Sequence, residues 1–166
     1  MLKGAFVLLV LSSLSLTFAQ DTVTKDALFK YTSPKGYKRD DSRVPYQRIG
    51  FFRPASDGYS SNVMISIANA GTYTLAKLGK ETVDYLKQND KSATVISSAT
   101  IKVGGREAFI IEMDRTLPNK MVVGQQQIMG IGKGKVVILT FSALKTTFSE
   151  LKPLFQDSLK SYSWLK

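Results

Sequence analysis

The sequence predicts an α+β fold: an antiparallel sheet of about six to seven strands with helices on both faces. Short runs of alternating apolar and polar residues recur along the chain, and turns that contain glycine or proline separate them. Two longer segments place apolar residues three or four positions apart, which is the period of an amphipathic helix. Residues 136–139 are apolar on both pleat faces, which indicates a central strand covered from both sides. Together these patterns predict an α/β/α sandwich.

Three strands are predicted in the N-terminal half, and proline or glycine follows the first two of them. They are residues 28–32, 49–53 and 62–68. Residues 20–25 are short and polar, so we predict a flexible tail there. Residues 37–48 are basic and show no clear period, so they are predicted to be irregular.

The middle of the chain is predicted to form one helix followed by four strands. Apolar side chains over residues 74–88 lie on one helical face, but Gly79 lowers the helix propensity by about 1 kcal/mol and could delay the start to Lys80. The four strands are residues 94–103, 107–116, 121–131 and 136–141. Glycines in the turns between them tolerate the positive φ angles of tight hairpins, so neighbouring strands should pair antiparallel.

A C-terminal helix is predicted to close the fold. Its apolar residues recur at helical spacing: Phe148, Leu151, Leu154, Phe155, Leu159 and Tyr162. Thr147 followed by Glu150 matches a capping box. Because Pro153 lacks an N–H donor, we expect either a main helix that begins near Pro153 or a kink at that residue.

Residues 1–19 have the features of a cleavable signal peptide. Lys3 precedes an apolar run that is too short to span a bilayer, and the small side chain of Ala19 ends it. We predict cleavage after Ala19, export to the periplasm or the extracellular space, and one domain over residues 20–166. The chain has no cysteine for a disulfide or a thiol-linked lipid, so we expect a soluble monomer that a packed core stabilises.

The composition excludes several classes of enzyme. The sequence has no histidine and no cysteine, so Ser-His-Asp and Cys-His catalysis are excluded, and the usual zinc and copper ligands are missing. We therefore predict a non-enzymatic binding or accessory protein without catalytic residues, bound metal or cofactor.

The net charge of +10 at pH 7 points to anionic partners. The candidate contact residues lie in the basic N-terminal third: Lys35, Lys38, Arg39, Arg43 and Arg48. For an exported protein we predict that they meet an acidic protein or an anionic envelope surface, and not nucleic acid. In the alternative interpretation these cations are merely solvated, and the aromatic residues between them belong to the core.

Two other functions stay open at this point. Glu112 and Asp114 are two apart on one predicted strand, so their carboxylates share a face and could serve a metal-dependent hydrolase. Arg106 and Arg115 lie nearby and favour ordinary ion pairing instead. The second function is that of a carrier, which would hold a small apolar ligand between the sheet and a helix.

Three segments carry a resemblance to a known superfamily. Residues 29–37, with Pro34, Gly36 and Tyr37, resemble the opening strand and turn of PsbP-like domains, and residues 62–65 resemble their following Asn-Val strand. Residues 148–164 are similar to the closing helix of this superfamily, which also includes the bacterial DcrB-type proteins and a nuclear-import Mog-type factor. The resemblance implies an α/β/α sandwich that acts as a binding or accessory module. The resemblance does not imply a metal site in this chain, because the chain lacks the histidines of some photosynthetic members.

Overall fold

The computed structural model describes residues 20–25, 28–44 and 48–165. The predicted signal peptide lies outside these described residues, so cleavage after Ala19 and the extent of the domain stay predictions. Within the described ranges, no helix has both the length and the hydropathy that crossing a bilayer requires.

The described chain forms ten strands and two α-helices. The first strands are β1 (Thr22–Lys25), β2 (Phe29–Thr32), β3 (Lys38–Arg39), β4 (Ile49–Phe52) and β5 (Asn62–Asn69). After α1 (Leu75–Asn89) come β6 (Ala93–Val103), β7 (Arg106–Thr116), β8 (Val122–Gly132), β9 (Lys135–Leu144), α2 (Lys145–Leu159) and β10 (Ser163–Trp164). The four long strands after α1 confirm the predicted hairpin series.

Seven strands form one antiparallel sheet in the order β3-β4-β5-β9-β8-β7-β6. β9 lies at its centre between β5 and β8, as its apolar sequence predicts. The hairpin between β6 and β7 turns at Gly104 and Gly105, whose φ angles are +58° and +79°. Positive φ at both positions is the geometry that the glycine pair predicts.

The two helices pack on opposite faces of this sheet, which confirms the predicted fold class. α1 packs against β6, β7 and β8, where Leu86 meets Ile111, Met113 and Met129. α2 packs against β8 and β9 on the other face, where Phe155 stacks on Phe141 at 5.0 Å between ring centroids. A second, three-stranded sheet in the order β1-β2-β10 shares the α2 face, and the sequence did not predict it.

Two predictions about the chain ends are wrong. Residues 22–25 are not a flexible tail, because β1 pairs antiparallel with β2 and buries Val23. The C-terminal helix ends at Leu159, and Ser163 and Trp164 then pair with β2. Both errors have one cause, because β1 pairs with one edge of β2 and β10 pairs with the other. The local spacing of apolar residues does not reveal such pairing between separate segments.

α1 begins within one residue of its predicted start at residue 74, and not at the later alternative Lys80, whereas α2 begins earlier than predicted. α1 starts at Leu75, where the Thr74 side chain accepts a hydrogen bond from the Lys77 N–H, so Gly79 lies inside the helix. α2 starts at Lys145, directly after β9, and the Thr147 hydroxyl donates to the Leu144 carbonyl instead of capping the helix. The predicted capping box is therefore wrong.

Pro153 lies inside α2 and does not begin it. A proline removes one hydrogen bond from the preceding turn and leaves a carbonyl without its helical partner. Pro153 is exposed, as is Ser149 four residues before it. Water can therefore satisfy the freed carbonyl on this side of the helix.

Gly79 permits the close approach of α1 to the sheet. A Cβ at this position would lie 2.6 Å from the ring of Phe109 on β7. We expect Gly79→Ala to lower the free energy of unfolding by about 1–3 kcal/mol, because crowding outweighs the gain of about 1 kcal/mol in helix propensity. Urea denaturation measures the change.

Ala76→Gly at an exposed position of the same helix is the matched control. It should cost about 1 kcal/mol through propensity alone. A Gly79→Ala variant that is more stable than the wild type would show that α1 has room to move away from Phe109.

Candidate functional site

The five candidate cations do not form one cluster. Lys35 lies in the turn after β2 and lines a groove of about 390 Å³ with Leu154, Asp157 and Ser158 of α2. The other four lie between β3 and the start of β4. The acidic Asp157 in the same groove makes Lys35 a poor member of a purely cationic surface.

Arg39 is engaged by an acidic neighbour. Its guanidinium donates to both carboxylate oxygens of Asp41, with the Nη2–Oδ2 distance at 2.6 Å. The hydrogen bonds of this pair raise the pKa of Arg39 and lower the pKa of Asp41. The positive charge of Arg39 is therefore largely balanced, and its main contribution is to hold the segment after β3.

Lys38 and Arg43 meet at Phe52. Arg43 places its guanidinium carbon 3.9 Å from the centroid of the Phe52 ring, a cation–π contact. Lys38 pairs directly with Phe52 across β3 and β4, so the two side chains share a face of the sheet. Arg48 is partly exposed and lies directly before β4, two positions before Gly50.

The face around Phe52 is only partly covered. Gly50 pairs with Met64, and Met64 pairs with Thr140, so these residues continue the surface across β5 and β9. Phe52, Met64 and Thr140 are partly exposed, whereas Phe51, Val63 and Leu139, which point to the other face, are buried. We call the surface formed by Lys38, Arg43, Arg48, Phe52, Met64 and Thr140 the open face.

Most of the described aromatic residues between the cations belong to the core, as the alternative interpretation of this basic segment predicts. Tyr31, Tyr37 and Phe51 are at most 1% exposed and belong to the core. The Tyr37 hydroxyl donates to Ser61, and burial raises the pKa of Tyr37. Phe52 is the exception, because it reaches the open face. Tyr46, a further aromatic residue between these cations, lies outside the described residues.

A network of hydrogen-bonded polar side chains begins beside the open face and continues across the same face of the sheet toward the end of α1. The Tyr59 and Ser142 hydroxyls are 2.7 Å apart, and Asn62 donates to Tyr59. Gln125 donates to Ser142 and accepts from Arg115, whose Nη1 lies 2.8 Å from Asp90. Sequence reasoning missed this polar network because its members come from several elements that only the sheet register brings together.

One oxygen atom of this polar network has no hydrogen-bond partner in the described part of the chain. Asn62 Oδ1 is buried, and no described residue donates to it. A buried acceptor without a donor is costly and uncommon in folded proteins. Asn62 pairs with Phe52 across β4 and β5, so this acceptor lies beside the open face.

Another groove, of about 460 Å³, lies between the β4–β5 connection and the start of α2. Arg53 and Glu150 line it together with Tyr59 and Ser61. Its one cation and one anion balance each other, so the groove favours neither charge in a ligand.

The two candidate carboxylates share a face, as predicted, but arginines do not hold them. Lys152 Nζ lies 2.6 Å from Glu112, Lys145 Nζ lies 2.7 Å from Asp114, and both lysines come from α2. Arg115 points to the other face and pairs with Asp90. The carboxylates therefore tie α2 to β7, and a metal ion would have to displace both lysines.

Glu112 is the better-defined member of this pair. Burial alone would raise the pKa of Glu112, but hydrogen bonds from Lys152 and from Gln126 outweigh burial and leave the pKa lowered. A carboxyl whose pKa is lower in the folded chain stabilises the fold above its unfolded pKa of about 4.3, and the contribution is lost as the pH falls through the folded value.

We expect Glu112→Gln to lower the free energy of unfolding by about 1 kcal/mol at pH 7. The difference from the wild type should stay constant down to about pH 5.5 and then shrink toward pH 3, because the protonated wild type resembles the amide. Urea denaturation at several pH values measures it. In the control Asp157→Asn, which breaks an exposed pair with Lys160, the change should stay within about 0.5 kcal/mol. A Glu112→Gln effect that is independent of pH would contradict this assignment.

Comparison with known proteins identifies the fold. No family model matches the sequence, and no curated protein matches it significantly. Among solved structures, the chain is similar to the cyanobacterial PsbP protein CyanoP of Synechocystis (TM-score 0.62, 14% identity, 92% of this chain and 95% of that chain). It is also similar to LpqN, a protein involved in cell envelope biogenesis of Mycobacterium tuberculosis (TM-score 0.62, 18% identity, 89% of this chain and 91% of that chain). A third similar structure is PA94 of Pseudomonas aeruginosa, a protein of unknown function (TM-score 0.63, 12% identity, 86% of this chain and 94% of that chain). The chain thus has the predicted PsbP-like fold.

Proposed function

We propose that this chain is an exported, non-enzymatic binding protein that contacts an acidic protein through the open face. The observation that carries the proposal is the convergence of Arg43 and Lys38 on Phe52 at the uncovered side of β4. An aromatic ring with cations around it provides both apolar contact area and charge for a partner.

The charge distribution supports an acidic partner. The whole chain carries a net charge of +10. Several cations elsewhere are balanced by carboxylates, including Arg39, Arg115, Lys145 and Lys152. On the open face, Arg43 rests on an aromatic ring, so its charge stays available to an incoming carboxylate. Such a surface attracts an acidic partner over a distance of about 10 Å at ordinary salt.

A protein suits this surface better than a lipid membrane does. Each cation near an anionic membrane contributes about 1 kcal/mol, so three cations give weak attachment. Arginine and aromatic residues beside partly buried apolar side chains are typical of protein interfaces. Phe52, Met64 and Thr140 supply that mixture next to Arg43.

Two further observations favour a binding role over catalysis. The candidate carboxylates Glu112 and Asp114 hold α2 through lysine pairs. LpqN, which has the same fold, is involved in cell envelope biogenesis, and a role at the envelope would fit an exported chain. The fold itself does not select a function.

Retention on a polyglutamate matrix tests the proposal. The triple variant Lys38→Gln, Arg43→Gln, Arg48→Gln should elute at much lower salt than the wild type, because three cations of one surface are lost. The control Lys87→Gln, Lys102→Gln, Lys120→Gln removes the same charge from exposed positions elsewhere and should elute near the wild type. Equal elution of both variants would show that only the net charge matters.

Vesicles with about one third anionic lipid form the second arm of this experiment. We expect the wild type to sediment with them weakly at about 50 mM salt and not at all at about 150 mM salt. Vesicle binding that survives about 150 mM salt, together with no retention on polyglutamate, would overturn the acidic-protein proposal in favour of a membrane.

A further inference from the structure

A small apolar cavity lies beneath the C-terminal strand, on the face of the sheet opposite the open face. It has a volume of about 10 Å³ and lies between the α2 face of the sheet and the last described residues. Its lining residues are Val103, Ala108, Ile128, Gly130, Val137, Leu139, Tyr162 and Trp164. The polar side-chain groups among them are the Tyr162 hydroxyl and the indole N–H of Trp164.

The Tyr162 hydroxyl has no hydrogen-bond partner among the described residues. Tyr162 is 4% exposed, so water does not reach it from outside. The cavity is about large enough for one water molecule, but a buried water needs two to four polar partners, and the side chains of this lining offer at most the Tyr162 hydroxyl and the Trp164 indole N–H. A buried donor without an acceptor costs free energy, so an acceptor from a ligand would recover that cost.

Trp164 fills a trough that two glycines create. A Cβ at Gly130 or at Gly132 would lie 2.7 Å from the Trp164 ring, so these positions on β8 leave room for the indole. Without the indole, the glycine floor and the apolar lining of the cavity would form one continuous trough. An apolar chain could lie there in place of the ring.

Arg106 stands at one end of this trough. Its guanidinium carbon lies 5.4 Å from the Trp164 ring centroid, and its Nη1 would be 3.2 Å from a Cβ at Gly132. Within the described residues it has no carboxylate partner. The Tyr162 ring centroid lies 5.4 Å from that of Trp164, so Arg106 and Tyr162 both contact the same indole.

The strand that carries Trp164 is short. Ser163 and Trp164 pair with Lys30 and Phe29, and the Leu165 N–H donates to the Leu28 carbonyl at 3.0 Å. Two residue pairs open at a small cost compared with the long strands of the main sheet. The indole can therefore leave its place while the sheet beneath it stays intact.

We propose that this trough binds a single-chain fatty acid. The acyl chain replaces the Trp164 ring over Gly130 and Gly132, and the carboxylate accepts hydrogen bonds from Arg106 and Tyr162. An apolar floor, a buried hydroxyl without an acceptor and a cation at the mouth match an aliphatic chain with an anionic head group. The site is separate from the open face and does not depend on the proposed function.

Trp164 is the chain's one tryptophan, so its fluorescence reports directly on this site. Titration with decanoate below its micelle concentration should change the emission in a saturable way and increase quenching by acrylamide, because the indole moves into water. Acetate, which lacks the chain, should have no effect. The absence of a saturable change below about 1 mM decanoate would overturn the proposal, as would binding detected by calorimetry without any change in Trp164 emission.

Two variants separate the proposed contacts from general stability. Tyr162→Phe should weaken decanoate binding about tenfold while the melting temperature stays equal or rises, because an unpartnered hydroxyl is removed. Arg106→Gln should weaken binding by a similar factor, and the control Lys102→Gln on the same hairpin should stay within about twofold of the wild type. Wild-type affinity in Tyr162→Phe and in Arg106→Gln would refute the site. The triple variant of the open face should bind decanoate normally, so the two proposals fail independently.

Discussion

The structure depends on the register of β9 at the centre of the sheet. β9 pairs with β5 along one edge and with β8 along the other. Val137, Leu139 and Phe141 point into the core beneath α2, while Ile138, Thr140 and Ser142 point to the α1 face. A shift by one residue would bury Thr140 and Ser142 against α2 and expose the phenylalanine. The register of β9 therefore decides which residues the open face and the trough contain.

Small residues then set how closely the other layers approach this sheet. Gly79 brings α1 against Phe109, and Gly124 brings Phe148 of α2 against β8. Gly130 and Gly132 accept Trp164 in the same manner. At the first two positions two long elements are fixed to each other, whereas at the third a single side chain on a two-residue strand fills the space. Close packing therefore fixes whole helices at the first two positions and one side chain at the third.

The cations of the described residues make different kinds of contact in different parts of the fold. Ion pairs of Lys145 and Lys152 hold α2 on β7, and the pair of Arg39 with Asp41 shapes the chain after β3. Arg43 uses an aromatic ring as its contact. The contact of Arg43 with Phe52 is the observation on which the proposed binding role depends.

The sequence by itself determined the PsbP-like α+β fold, the central place of β9, the antiparallel hairpins and the shared face of Glu112 and Asp114, because strand and helix periods are local properties. Only the tertiary structure decided that β1 and β10 join β2, that lysines of α2 hold both carboxylates, and that Lys38 and Arg43 converge on Phe52 while Arg39 does not. It also decided that the Tyr162 hydroxyl is buried without a hydrogen-bond partner among the described residues. Each of these depends on the pairing register of elements far apart in the chain, which sequence spacing does not encode.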